Sequence, residues 1–383
     1  MSVIVATYNR QDYIAECIDS LLAQTQPACE IIVVDDGSDD ATPSILKSYG
    51  DRIRYLRQEN SGKSTAVNLA LSNARGDWIW LFDDDDVAVP DAIESRINVL
   101  KHNPDAGFVY SPHFIGHTNF DGTITEKTLY CPSETDSKDL LFSLLKGCFF
   151  HLNSALVRKD AYQAIGGFDT ALLRGQDYDV QIRLARQYPA AYDTNPSFIF
   201  RQHTGPRGTK LNRHSGQERE TMFSKFDQVI GAKIRSTLDL PEYLPHSVPV
   251  AAPCEHRYAL LRRMVVMASK GRIDDMFDDL SAALKEHTSK PPFSDAEIRL
   301  IASVVYTGNA SPAIYSDWTH FIRRLKSLPA TPSSKQAIRA IAFGFLRFAR
   351  SYPGSSREKL GRIFSGILVT LTGLRLTAPP SSP

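Results

Sequence analysis

The sequence predicts an α/β fold, a mostly parallel sheet flanked by helices, with a mainly helical region behind it. Three observations carry that expectation. Strand-like and helix-like stretches alternate through the first half of the chain. Each strand-like run ends in a polar cluster, where open parallel sheets bind their ligands. After Arg201 the pattern changes: Gly205, Pro206, Arg207 and Gly208 interrupt it, and helical periodicity then dominates between Pro-containing pieces at 241–253 and 329–332. The change separates residues 1–208 from residues 209–383, with the boundary expected within 205–215.

Residues 2–6 are a short apolar run, read as the first strand. Residues 12–24 carry Ile14, Cys17, Ile18, Leu21 and Leu22 at helical spacing, which completes one βα unit. Residues 30–34 are β-branched and run into Asp35 and Asp36; residues 41–49 read as helix, 52–57 as strand and 65–74 as helix. Residues 78–82 read as a buried strand leading into four consecutive aspartates, Asp83 to Asp86, and Pro90 suits the first turn of a helix reaching Leu100. Beyond residue 105 the order is less regular, with extended runs expected at 107–111, 123–130 and 149–157 and a helix near 138–145. Helical pairs between 255 and 350 suit a small bundle, without a fixed-period repeat.

The chain has 383 residues, 42% hydrophobic and 23% charged, enough for one large domain and a smaller one. Lys and Arg total 44 against 43 Asp and Glu, so no global basic field argues for a nucleic-acid partner. The cysteines Cys17, Cys29, Cys131, Cys148 and Cys254 form no C-x-x-C pair, which argues against structural zinc and fits a reducing compartment. The chain opens directly on a strand-like run without a basic leader, so a cytoplasmic location is expected.

The residues after the strands converge on one crevice: Thr7, Tyr8, Asn9 and Arg10; Asp35 to Asp39; Asn60 to Lys63; and Asp83 to Asp86. Alone, Asp35 to Ser38 reads as an ordinary turn. The run Asp83 to Asp86 is different, because adjacent carboxylates repel one another unless solvated or neutralised by a cation. Gly62, Lys63 and Ser64 end like a P-loop, but the first glycine of that motif would stand at Arg57, which argues against an NTPase cradle. Lys63 at a helix start can still meet an anionic ligand.

Ser2 to Arg10, Val33 to Asp39, Asn60 to Asn68 and Gly76 to Asp86 resemble successive signatures of the family 2 glycosyltransferases, as do Gly166 to Asp169 and Gly175 to Leu184. Their order and spacing over residues 2–205 make the resemblance specific. It implies the GT-A fold, a nucleotide-sugar donor, with UDP-sugar as the default, and an inverting single displacement with a divalent metal, Mn²⁺ or Mg²⁺. By the same resemblance Tyr8 stacks on the base and Asp36 hydrogen-bonds it, with Thr7, Asn9, Asp35, Lys63 and Asp84 among the donor contacts. Asp85 is the expected metal ligand, Asp83 a ribose or metal contact, and His203, in the Arg201 to His203 triplet, a further metal or diphosphate contact. Asp177 is the expected catalytic base, with Asp179 in reserve and a helix cap as its bland alternative. Gln176 stands where the family usually has Glu.

The acceptor is expected to be a glycan, a lipid-linked glycan or a protein. No processive Q-x-x-R-W signature is present, and the most apolar late segment, Ile363 to Leu374, is short for a membrane span. Flanked by Arg357, Lys359, Arg362 and Arg375, it suits peripheral membrane contact or packing on the helical region. Two other function classes stay open: a non-catalytic nucleotide-sugar-binding module, suggested by Gln176 and Ala6, and a sugar-phosphate nucleotidyltransferase, whose N-terminal glycine-rich loop is missing.

Overall fold

A computed structural model of the chain describes residues 1–119, 123–132, 139–203, 219–245, 254–286 and 292–351. The expected break at Gly205 to Gly208 and the apolar segment Ile363 to Leu374 lie outside them. The chain divides into two compact units: Met1–Leu144 with Cys148–Glu220, and Thr221–Pro383 with Leu145–Gly147. Among the described residues no helix is long and apolar enough to cross a membrane.

The first unit begins with β1 (Ser2–Thr7), α1 (Ile14–Leu22), β2 (Glu30–Asp35), α2 (Thr42–Ser48), β3 (Arg54–Arg57), α3 (Lys63–Asn73) and β4 (Trp78–Asp83). It continues through β5 (Val87–Ala88), α4 (Ala92–His102), β6 (Phe108–Tyr110), β7 (His113–Thr118), β8 (Ile124–Tyr130), α5 (Leu140–Lys146), β9 (Leu156–Arg158), α6 (Lys159–Ala164), α7 (Gln176–Gln187), β10 (Ala190–Tyr192) and β11 (Phe198–Gln202). Seven strands form one sheet in the order β10-β6-β9-β4-β1-β2-β3, all parallel to their neighbours except β9. Helices cover both faces, which is why β1 and β2 read as continuous apolar runs without alternation. The buried face of α1 (Ile14, Cys17, Ile18, Leu21) meets Val3, Val5 and Val33, and Trp80, Phe82 and Ile93 extend the same core.

Strand order reverses at β1: β2 and β3 lie on one side and β4 on the other. The carboxyl ends of β1 and β4 therefore part to leave a crevice. Ala6 sits beside Asp83 in the ladder and Thr7 beside Asp35, so the register delivers both acidic clusters to this edge.

A second sheet, β5-β11-β7-β8, joins this end. The strand β7 was not expected. Its sequence lacks clear alternation, and Gly116 is required where a Cβ would come within 2.7 Å of Ile124 and Ile199. Conversely, the extended run expected at 149–157 is a 3₁₀ turn, Leu152–Ser154, followed by the three-residue β9. The turn forms because polar groups of 153 are used inward: the Trp80 indole donates to the Asn153 carbonyl at 2.6 Å, and the Asn153 amide donates to Asp86 at 2.7 Å.

The second unit is helical, as expected, with α8 (Arg219–Thr237), α9 (Glu255–Ser269), α10 (Ile273–Glu286), α11 (Asp295–Ser303), α12 (Ala310–Ser316), α13 (Trp318–Lys326) and α14 (Pro332–Ser351). Ser294 caps α11 in a reciprocal box with Glu297. Glu297 also accepts two hydrogen bonds from Arg257 of α9, at 2.6 and 2.9 Å, in a pair almost fully removed from solvent.

Candidate active site

Two loops are buttoned together at the β1 and β2 ends. Asn9, at φ 53° in the left-handed region that asparagine tolerates, exchanges hydrogen bonds with Asp39 at 2.6 and 2.9 Å, and its backbone N–H donates to Ser38 Oγ. Tyr8 is half-buried on the same turn and Thr7 is buried beneath it.

Both acidic residues after β2 are engaged inside the protein. Asp35 is fully buried and accepts from the Ser38 N–H, the Tyr55 hydroxyl and Arg57. The Asp36 carboxylate accepts from the backbone N–H groups of Ser61 and Gly62, each at 2.8 Å, and from Gln58 at 2.7 Å. Asp36 thus ties the β2 end to the start of α3, placing Lys63 at the crevice.

Lys63 joins two walls. Its ammonium lies 2.7 Å from Asp83 and 3.5 Å from Asp177. Burial disfavours the charged amine, yet Asp177 and Asp83 outweigh it and raise the Lys63 pKa. Asp177 is the second residue of α7; Gly175, at φ 72°, holds the cap position, so Asp177 is not the cap and its side chain, 38% exposed, faces the pocket with Lys63, Asp83 and Asn153. Asp179 is buried and paired with Arg183 at 2.6 Å.

The four aspartates after β4 face four ways. Asp83 takes Lys63. Asp84 takes Arg10 at 3.1 Å, and burial pushes its carboxyl up to about 6 against the pull of that guanidinium. Asp85 lies 3.0 Å from His203 Nε2 and 3.7 Å from Arg10. Asp86 accepts from Asn153 and from the Arg201 backbone N–H at 2.9 Å, while the Arg201 side chain donates to the Asp85 carbonyl. Beneath the turn, the buried Cys17 thiol donates to the Asp83 carbonyl at 3.5 Å.

Of the three expected metal contacts the structure brings Asp85 and His203 together, whereas Asp83 turns to Lys63. Among the described residues no group of three or more His, Cys, Asp or Glu could hold a metal alone. Hard divalent cations in phosphate-transfer sites commonly take one or two protein ligands and complete their shell from substrate phosphates and water. The Asp85–His203 pair fits that pattern, and the buried His203 Nδ1 has no hydrogen-bond partner among the described residues.

Sequence reading placed Arg10 at the crevice but gave it no role, although a basic residue following β1 opposite four carboxylates is the signal that could have supplied one. It also missed Tyr13, whose ring lies 4.7 Å from His203, and Asn153, which no local pattern marks.

Residues 2–166 match the family described as glycosyl transferase family 2. An uncharacterized glycosyltransferase of Rickettsia prowazekii is 35% identical over 237 residues, covering 59% of this chain and 71% of that relative. TuaG of Bacillus subtilis, named for teichuronic acid biosynthesis, is 36% identical over 155 residues, covering 39% of this chain and 59% of TuaG. Among solved structures, S. aureus TarS superposes with a TM-score of 0.50 at 15% identity, over 84% of this chain and 53% of that one, a likeness of fold. The Rickettsia relationship spans more than the catalytic signatures, and with the family match beginning at β1 it shows that this chain is an enzyme belonging to the family 2 glycosyltransferases.

Proposed function

We propose that the chain transfers a sugar from a nucleotide-sugar donor, a UDP-sugar first among them, to an acceptor hydroxyl with inversion at the anomeric carbon. The product class is a cell-surface glycan or polysaccharide, a reading supported by the likeness to TuaG. The observation that carries the proposal is the Lys63 bridge, which draws Asp83 and Asp177, 94 positions apart in sequence order, to one ammonium group.

In this reading Asp177 accepts the proton of the attacking hydroxyl while the acceptor oxygen bonds to the anomeric carbon and the bond to the diphosphate oxygen breaks. Lys63 orients Asp177 and adds positive charge at the crevice. Tyr8 offers its ring to the base, and the Asp36-bound loop keeps the start of α3 in place. Asp85 and His203 would hold a divalent cation, which supplies charge neutralisation for the departing nucleoside diphosphate. Arg10 restrains Asp84 and Asp85.

The test is nucleotide release from UDP-, GDP- and dTDP-sugars with Mn²⁺ or Mg²⁺, on the wild type, Asp85→Ala and Asp177→Asn. Turnover of one donor that needs metal, collapses in Asp85→Ala, and falls about 10²- to 10⁴-fold in Asp177→Asn is expected. Tight donor binding without turnover, with acceptors supplied, would instead assign a non-catalytic binding module. An absence of binding to every donor would remove the proposal.

A further inference from the structure

Helix α14 packs by one face, and its sequence fixes which. A Cβ at Gly344 would come within 2.0 Å of the Ala302 carbonyl oxygen, so α14 and α11 meet nearly backbone to backbone there. The Phe345 ring lies 5.9 Å from that of Trp318 and 6.0 Å from that of Phe321, and Ala337, Ala340 and Ile341 are buried on the same side.

The opposite face reads Lys335, Arg339, Phe343 and Arg347, four exposed residues at i, i+4 spacing. Phe343 is 59% exposed, the joint-largest value among the large apolar side chains described as exposed. The helix contains no acidic residue. From residue 332 to residue 383 the sequence holds eight Lys or Arg against Glu358 alone, in a chain whose net charge is only +1.

Surface helices ordinarily intersperse acids among such positions, because like charges four residues apart repel and opposite ones attract. A stripe of one sign with an aromatic ring at its centre is complementary to an anionic surface that is wet outside and apolar beneath. Phospholipid headgroups neutralise the cations, and the ring reaches the acyl boundary. A nucleic acid would match the charge but leaves the ring without an apolar phase, and a single helix offers few of the phosphate contacts such binding accumulates.

We infer that the face formed by Lys335, Arg339, Phe343 and Arg347 docks α14 on an anionic phospholipid surface. The inference stands on the second unit alone and does not depend on the proposed sugar transfer.

The experiment is co-sedimentation of the full chain with vesicles of phosphatidylcholine alone or mixed with phosphatidylglycerol, at low and high salt. Binding only to the mixed vesicles, weakened by salt, is expected. Lys335→Gln with Arg339→Gln should lower partitioning about 10- to 30-fold, from the loss of two cations near the surface. Phe343→Ser should weaken binding while leaving its salt dependence in place. Both variants change exposed positions, so an unchanged melting temperature and unchanged donor turnover in vesicle-free buffer are expected alongside. Equal binding to neutral vesicles, no binding to either kind, or full binding by both variants would overturn the inference. Preferential capture of the chain by a nucleic acid competitor through the same residues would overturn it too.

Discussion

Lys63 makes the most exacting claim at the scale of single residues. Removing its ammonium leaves Asp83 and Asp177 facing one another across the pocket without a shared counter-charge. Lys63→Met is expected to lower kcat/KM for the donor about 10- to 100-fold, the range for losing hydrogen bonds to charged groups. Lys63→Arg should recover part of that loss, and equal activity in Met and Arg variants would deny the bridge any role. His113 bears on pH in another way. Burial, with a smaller push from His151, lowers its pKa to about 3, and its Nδ1 is buried without a hydrogen-bond partner among the described residues. Between pH 6.5 and 3 the unfolded chain takes up a proton that the folded chain refuses, so this contribution is intact above 6.5 and erodes as pH falls through that window. The loss is about 2 kcal/mol at pH 5, and His113→Phe, which keeps a ring against Phe198, should flatten that part of a Tm-against-pH curve.

At the scale of elements, Asn68 of α3 ties that helix to the loop before α7. Asn68 donates to the Phe168 carbonyl at 2.8 Å and accepts from its N–H at 2.9 Å. Gly167 must pass beside it at φ 67°, where a Cβ would lie 2.7 Å from the Asn68 oxygen. Gly167→Ala is expected to cost about 1–3 kcal/mol, read as a shifted urea midpoint. In the sequence, Asn68 and Gly167 were visible only as members of separate signatures; their meeting was not. The same division runs through the whole site. The β1 to β4 order, the acidic run and α7 were legible because each is a contiguous pattern with a period or a strand end. The strand β7, the turn at Leu152–Ser154 and the tie from Asn153 to Asp86 were not, because they depend on pairing between distant segments. The family resemblance assigns Asp36 to the base; within the chain its carboxylate accepts from the Ser61 and Gly62 N–H groups, a tie between distant segments that the sequence does not display.

For the whole molecule, the two units store stability differently. The first relies on a two-sided apolar sheet, while the second buries the Arg257–Glu297 pair within its helices. Arg257→Met leaves a carboxylate buried without its partner and is expected to destabilise the second unit by about 3–5 kcal/mol, seen as an earlier melting transition. A net charge of +1 and an isoelectric point near 7.7 leave little repulsion between copies at neutral pH, so solubility should be lowest there and recover as pH moves away. Five free thiols make the molecule readable by chemistry as well. Cys29, Cys131 and Cys148 are exposed and should alkylate promptly, but Cys17 is sealed under the Asp83 turn, and burial together with the neighbouring carboxylates discourages its thiolate. Its alkylation can proceed only when that turn lifts from α1. Cys17 is therefore a built-in clock for breathing of the crevice, and a donor that seats itself above the turn should slow the clock.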